Sequence, residues 1–219
     1  MINLGSTDNH YRLAINEINK LRGAKKFRLL EIGAGPKMME GFLPPNITYH
    51  SMDSCPDFWK TAHTFNHDLN SGKFPIKNES YEILVCNETL EHVMYPERVI
   101  EEIKRIAKKD AIFFFSIPNE YNFLMRLYYM LAIKTKTEEP FKVVEKGLHV
   151  HKPRVKDILD LFERHFKIEK VDYVWQSRQS ENSHIARFID RIIARLAKVY
   201  PSLFSRTVVV MAKFKNKPN

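Results

Sequence analysis

The residues that best indicate a binding function are two glycines directly behind an apolar run. Phe27 to Ile32 is typical of a buried strand, and it ends at Gly33-Ala34-Gly35, with Glu31 two residues before the first glycine. Paired glycines let the backbone turn sharply after a strand and approach a ligand closely. The pattern is typical of a nucleotide or nucleoside site at the end of a first parallel strand, although a plain strand-to-helix turn has the same residues.

Further pieces follow in an order that resembles a known family. Ile47 to Asp53 is a second strand ending in an acid, Asp68 follows a short third strand, and the fourth strand, Ile83 to Cys86, precedes Asn87-Glu88-Thr89-Leu90-Glu91-His92-Val93. Across residues 27 to 118 the order and spacing resemble the class I S-adenosylmethionine-dependent methyltransferases. The Leu-Glu-His-Val segment is close to the signature of a subgroup that includes small-molecule and quinone-type methyltransferases.

The resemblance implies S-adenosylmethionine as cofactor and a role for each matching residue. Asp53, with Ser54 beside it, would accept both ribose hydroxyls, since a charged acceptor suits a diol; a helix cap is the alternative. Asp68 would bind the adenine amino group with Leu69 beside it, or would only shape a turn. The other implied cofactor contacts are Glu31 under the aminoacyl group, the loop residues Gly33, Ala34 and Gly35, and Asn87, Glu88 and Thr89 at the methionine portion.

The chemistry expected of such a site makes few demands on the protein. Methyl transfer from a sulfonium is an in-line displacement, so the protein mainly positions the reactants and excludes water. No metal is predicted, because the chain has no Cys-x-x-Cys or His-Glu-x-x-His motif. A general base is optional, and the candidates are His92, His149 and His151. Each of them would also fit a structural role in a loop or a helix cap.

The elements that must position these residues alternate between strand and helix. This alternation predicts an α/β, Rossmann-like sheet that is mainly parallel, with helices begun by Pro96 and Pro153 and a turn at Asp110 before the fifth strand. The resemblance adds a seventh, antiparallel strand from Thr207 to Phe214, giving the order 3-2-1-4-5-7-6 with helices on both faces.

Two segments stand apart from the alternation within the single domain expected over residues 1–219. Residues 1–24 predict an N-terminal helix, which would either cover the cofactor or pack on the sheet edge. Residues 119–150 contain one aromatic-rich apolar run followed by a polar stretch. We expect this piece to be an insertion that forms a helical lid over the active site.

The composition is that of a soluble globular protein, with 44% hydrophobic and 28% charged residues. Cys55 and Cys86 have no paired spacing, so reduced thiols and a cytosolic compartment are expected. No signal peptide is expected, because residues 1 to 5 do not form a basic region followed by an apolar core. The sequence thus predicts a cytoplasmic protein, or one peripheral at a membrane.

The net charge of +9 is concentrated near the C-terminus. From Arg178 onward nine Lys or Arg oppose two acids, a net of +7, which leaves +2 for the first 177 residues. Residues 182–200 predict an amphipathic helix with an apolar stripe and a basic row containing Arg187, Arg191 and Arg195. Such a helix suits an anionic membrane presenting a lipid-linked acceptor. We favour the alternative that the stripe packs on the domain or a second subunit, because a sheet lies close by.

Three other functions fit parts of the pattern. A nicotinamide-dependent dehydrogenase needs Gly-x-Gly-x-x-Gly, but position 38 is Met. A non-catalytic cofactor-binding partner protein is compatible with Lys37, which stands where the family often has a third glycine. An RNA methyltransferase would suit the basic C-terminal section, although no RNA-binding module is evident. The preferred prediction is methyl transfer to a small-molecule or lipid-linked acceptor.

Overall fold

The computed structural model describes residues 9–54, 60–135, 148–175 and 183–215, and these contain a seven-stranded sheet of order β3-β2-β1-β4-β5-β7-β6. The strands are β1 Phe27–Ile32, β2 Ile47–Asp53, β3 Phe65–Asn66, β4 Tyr81–Asn87, β5 Ala107–Pro118, β6 Lys167–Val174 and β7 Thr207–Lys213. Strands β1 to β5 pair in parallel, whereas β7 is antiparallel to both β5 and β6. The predicted strand order and the antiparallel last strand are confirmed.

Both faces of the sheet are covered by helices. On one face α2 (Pro96–Ile106) and α4 (Val155–His165) bury apolar side chains against strand residues such as Leu30 and Phe113. On the other face α1 (Asn9–Asn19) packs against Leu29, Val85 and Phe114. Successive strand residues point to opposite faces, so a run that is apolar throughout serves both cores. Of the two roles expected for the N-terminal helix, the structure shows packing on the sheet, on its face rather than at its edge.

The start of β5 differs from the prediction. Ala107 follows α2 directly and pairs with Tyr81, and Lys108 forms an ion pair with Glu82. Asp110, predicted to turn the chain, lies within this longer strand and is exposed. An extended strand end outside the buried core tolerates charged residues, which is why the charges here resembled a turn.

The segment predicted as a lid is described at both of its ends. Asn122 caps α3 (Phe123–Met130) by accepting hydrogen bonds from the backbone of Leu124 and Met125. Further on, the N–H groups of Val150 and His151 donate to the carbonyl oxygen of Glu91, at 2.8 and 3.0 Å. Residues 136–147 lie outside the described residues, so the lid stays a prediction. Cys55 and a helix expected at Pro56 also lie outside them.

The helix before β7 is formed as predicted, but its apolar stripe is not covered. Ser183 caps α5 (His184–Val199), and the short α6 (Pro201–Phe204) follows. Ile185 and Phe188 are 74% and 63% exposed, and Ala197 is the residue of α5 that is fully buried. Most of the stripe is therefore not packed on the described part of the domain, which corrects one half of the alternative favoured from the sequence. The other half, packing on a second subunit, stays a prediction. None of the described helices is both long and apolar enough to cross a bilayer.

Candidate functional site

The glycine loop behind β1 takes a backbone conformation that suits glycine. Gly33 and Gly35 have φ values of +67° and +48°, in the left-handed region. A Cβ atom on Gly33 would lie 2.3 Å from Oγ1 of Thr89, so the missing side chain lets the turn after β4 approach β1 closely. Lys37 also has a positive φ, +57°, a backbone conformation that glycine adopts most easily.

The end of β2 holds this loop in place. The N–H groups of Gly33 and Ala34 donate to the carbonyl oxygen of Met52, at 2.9 and 3.1 Å. Oδ2 of Asp53 accepts a hydrogen bond from the N–H of Gly35 at 2.9 Å. The predicted cofactor residues Gly33, Ala34, Gly35 and Asp53 are therefore brought together, and exposed Ser54 follows directly.

Glu31 places a buried carboxyl group beneath the loop. It is 1% exposed and accepts a hydrogen bond from the hydroxyl of Tyr49. Burial raises the pKa of Glu31 to about 8. Its Oε1 is buried and has no hydrogen-bond partner among the residues described. Glu31 is thus a proton-holding group with one oxygen available to a ligand.

The turn after β4 carries a second set of unpaired polar atoms. Thr89 Oγ1 donates to the carbonyl oxygen of Asn87 at 2.8 Å, and the N–H of Glu88 donates to the carbonyl oxygen of Ser116 at 2.9 Å. Glu88 has a φ of +47°. The buried side-chain amide of Asn87 has neither donor nor acceptor partner in the described parts of the chain. Such atoms indicate a place for a polar ligand.

Asp68 and Leu69 lie just beyond β3, at the same edge of the sheet. Oδ1 of Asp68 accepts hydrogen bonds from the backbone and side-chain nitrogens of Asn70, at 2.9 and 3.2 Å. This geometry gives Asp68 a turn-forming role, and Leu69 is partly buried beside it. Their contact with adenine stays a prediction.

The two histidines predicted as bases lie side by side. The rings of His92 and His149 are 4.8 Å apart, centre to centre, at an angle of 78°. Nδ1 of His92 is 2.7 Å from the carbonyl oxygen of Leu148, and because a carbonyl only accepts, this nitrogen carries the proton. Nδ1 of His149 contacts the carboxylate of Glu120. Burial lowers the pKa of His92, which keeps its ring neutral.

His151 has the structural role that the sequence offered as its alternative. Its Nε2 lies 2.9 Å from the carbonyl oxygen of Val93, to which it donates. This bond, with the backbone bonds to Glu91, fixes the segment 148–151 against the turn after β4.

Glu91 is a site residue whose importance the sequence prediction missed. It is 1% exposed, and both carboxylate oxygens lack a hydrogen-bond partner among the described residues. Burial, and then the nearby charge of Glu88, raise the pKa of Glu91 well above its usual range. One nitrogen or oxygen atom from each of Glu91, His92 and His149 lies within 4.8 Å of the others. Tyr49 and Glu120 were missed too, because they act across segments that are distant in the chain.

Comparisons with known proteins agree on the family. The chain matches a methyltransferase domain over residues 8–198. It is 26% identical over 117 residues to a thiol S-methyltransferase of Rattus norvegicus, covering 48% of each chain. It is 25% identical over 153 residues to the ubiquinone biosynthesis O-methyltransferase of Colwellia psychrerythraea, covering 65% of this chain and 60% of that relative. The chain thus spans roughly half to three fifths of the length of these relatives.

A solved structure supports the same assignment of fold. The crystal structure of an S-adenosylmethionine-dependent methyltransferase from Mesorhizobium loti superposes with a TM-score of 0.59 at 14% identity, covering 95% of this chain and 99% of that chain. The chain therefore belongs to the methyltransferase-domain family, and this confirms the predicted family at the level of a methyltransferase domain.

Proposed function

We propose that the protein transfers a methyl group directly from S-adenosylmethionine to a small-molecule or lipid-linked acceptor. The observation that carries the proposal is that the ends of β1, β2 and β4 meet. They bring together a glycine loop bonded to Asp53, a buried carboxyl at Glu31, and the amide of Asn87, which has no hydrogen-bond partner among the described residues. A nucleoside with a charged amino-acid tail fits this set, because diol, ammonium and carboxylate each need polar partners.

Each predicted contact has a plausible partner group on the cofactor. Asp53 would hold the ribose hydroxyls, and Asp68 with Leu69 would border the adenine. Glu31 would lie under the aminoacyl group, with Asn87, Glu88 and Thr89 along the methionine portion. When bound, S-adenosylmethionine would supply an electrophilic methyl group on a sulfonium; the acceptor atom would bond to this methyl carbon in line, and the C–S bond would break with its electron pair staying on sulfur.

The histidines give the protein a means of removing a proton from the acceptor. With Nδ1 of His92 donating to Leu148, its Nε2 keeps a lone pair, and the lowered pKa leaves it able to accept. Glu120 orients the ring of His149 through its Nδ1. A neutral imidazole held in this way is suited to act as a general base toward a hydroxyl or a thiol.

The acceptor class rests on two observations. Two of the relatives are named a thiol S-methyltransferase and a ubiquinone biosynthesis O-methyltransferase, and Leu90-Glu91-His92-Val93 resembles the signature of the small-molecule and quinone-type subgroup. The exposed apolar stripe of α5 beside a basic row favours contact with an anionic membrane, where a lipid-linked acceptor is found. The RNA alternative explains the basic row but not the exposed Ile185 and Phe188.

The proposal is tested by cofactor binding. Calorimetry with S-adenosylmethionine and S-adenosylhomocysteine should show binding to the wild type. The variant Asp53→Ala should bind more weakly by roughly 1.5–3 kcal/mol, because it loses charge-assisted hydrogen bonds. Asp110→Ala, which removes an exposed acid of β5, is the matched control and should bind as the wild type does. No binding by the wild type, or equal affinity of both variants, would refute the proposal.

A further inference from the structure

The buried carboxyl group of Glu91 has no role in the methyl transfer proposed above. A carboxyl group that is 1% exposed normally has donors for its oxygens, since an unpaired polar group in the interior is destabilising. Neither oxygen of Glu91 has a hydrogen-bond partner among the described residues, and its nearest basic atom is Nε2 of His92 at 3.8 Å. The backbone carbonyl of Glu91 is fully used by Val150 and His151. The described residues therefore bury this side chain without giving its carboxylate a hydrogen-bond partner.

The two neighbouring histidines are oriented as ligands are. Metal-bound histidines almost always donate their second ring N–H to a carboxylate or a backbone carbonyl, which fixes the ring. His92 donates Nδ1–H to Leu148, and His149 contacts Glu120 through Nδ1. In both rings Nε2 is then the nitrogen that remains free to coordinate a metal ion. The supporting partners are present for both rings, independently of the state of Glu91.

The geometry points to a site for a first-row divalent cation formed by Glu91, His92 and His149. One ligand atom from each lies within 4.8 Å of the others. Ligand atoms bound at about 2.0–2.2 Å to one cation lie roughly 3–4.3 Å from each other. Small side-chain movements would therefore bring these three atoms within bonding distance of one cation. Glu88 is a further ligand candidate, because its Oε1 is buried and unpaired among the described residues and its carboxylate interacts electrostatically with both Glu91 and His149.

The donor set indicates the class of cation. Imidazole nitrogen suits Zn²⁺, Fe²⁺ and Ni²⁺, whereas carboxylate oxygen also suits Mn²⁺. Two imidazoles with one or two carboxylates, and no thiolate, therefore favour a borderline ion over Ca²⁺ or Mg²⁺. Sequence spacing did not reveal this set, because His149 comes from a segment far along the chain from Glu91 and His92.

A cation here would also define the acceptor, and this consequence rests on the proposed function. Glu91 follows Thr89, which touches the glycine loop, so the cation would border the methionine end of the cofactor site. A hydroxyl coordinated to it would have a lowered pKa and would release its proton to solvent. Its oxygen would form the new C–O bond while the C–S bond breaks and the electron pair stays on sulfur. The acceptor would then be a hydroxyl compound, with the histidines as ligands rather than bases.

Cobalt titration of the full chain tests the site. After chelator treatment the wild type should bind one Co²⁺, with visible absorption typical of nitrogen and oxygen ligands. Glu91→Gln and His149→Gln should each weaken binding by at least about tenfold, and Glu120→Gln, which only frees the ring of His149, by roughly tenfold. The control His184→Gln removes an exposed histidine of α5 and should leave the affinity unchanged.

Binding of S-adenosylhomocysteine to the same preparations separates this proposal from the proposed function. Variants that still bind the nucleoside are folded, so their loss of Co²⁺ affinity reports on the cation site. If the wild type binds the nucleoside but holds Co²⁺ no more tightly than Glu91→Gln and His149→Gln do, the cation site is refuted and methyl transfer stands. Co²⁺ binding without nucleoside binding would support the cation site and contradict the proposed function.

Discussion

The buried carboxyl of Glu31 makes the stability of the protein depend on pH. Because its pKa is raised from 4.5 to about 8, the folded protein holds this proton more tightly than the unfolded chain does. The stabilising contribution of Glu31 is fully present below about pH 4.5 and is lost as the pH rises to about 8. Relative to Glu31→Gln, the free energy of unfolding of the wild type should fall across this window, by on the order of a few kcal/mol.

Urea unfolding at pH 5, 6.5 and 8 measures this difference. Glu163→Gln, a change at an exposed position of α4, is the control and should follow the wild type at each pH. Parallel pH profiles for wild type and Glu31→Gln would mean that Glu31 is charged throughout.

Gly33 should tolerate no side chain. In Gly33→Ala the new Cβ would meet the side chain of Thr89, with atoms at 2.3, 2.4 and 2.9 Å, at a φ of +67°. We expect a loss of about 1–3 kcal/mol in the free energy of unfolding, with weaker cofactor binding. Gly23→Ala is the matched control, since nothing lies within 4 Å of its Cβ. Urea denaturation measures the free energy of unfolding of both variants. If Gly33→Ala is as stable as Gly23→Ala, the loop relaxes to make room for the new Cβ and the prediction is wrong.

How well single residues could be predicted depended on how local their role is. Gly33 and Asp53 belong to motifs of a few residues at the end of a strand, so the sequence alone singled them out. Their contact with the cofactor stays a prediction. Tyr49, Glu91 and Glu120 gain their roles from partners elsewhere in the fold. Glu91 stood in the quoted Leu-Glu-His-Val segment, but only the folded chain shows that its oxygens are buried and unpaired.

Among the helices, α5 has the surface whose partner matters most. Its periodicity correctly predicted an amphipathic helix, capped by Ser183, but periodicity does not tell which body covers the stripe. If an anionic membrane covers the stripe, the wild type should sediment with vesicles rich in anionic lipid, and the bound fraction should fall as the salt concentration rises. Replacing Arg187, Arg191 and Arg195 by Gln should remove about 1 kcal/mol per arginine, on the order of a hundredfold in all.

A control variant that loses the same number of positive charges elsewhere tests whether the position of the arginines matters, and not only the net charge. Replacing Lys156, Arg164 and Lys167 by Gln removes three exposed cations of α4 and β6 instead. This variant should keep most of the vesicle binding. A wild type that stays in the supernatant at low salt would rule out membrane docking.

Taken as a whole, the sheet was the most predictable part of the molecule. Alternating apolar runs and helices indicated a mainly parallel sheet, and the resemblance supplied the place of β7, which was confirmed. Strand ends were less predictable, as Asp110 in β5 shows, because a charged extended end and a turn share the same residue types. The pair of histidines needed the fold itself, since the hydrogen bonds of the segment 148–151 to the turn after β4 bring them together.

The position of β7 between β5 and β6 bears on how the protein is made. During synthesis on the ribosome, β6 emerges before β7, yet in the finished sheet its neighbour is β7. Until Thr207–Lys213 has left the exit tunnel, β6 and the open side of β5 present unpaired backbone and apolar side chains. Folding of this half of the sheet is therefore delayed until β7 has emerged, and in that interval the nascent chain exposes strand edges of the kind that chaperones shield.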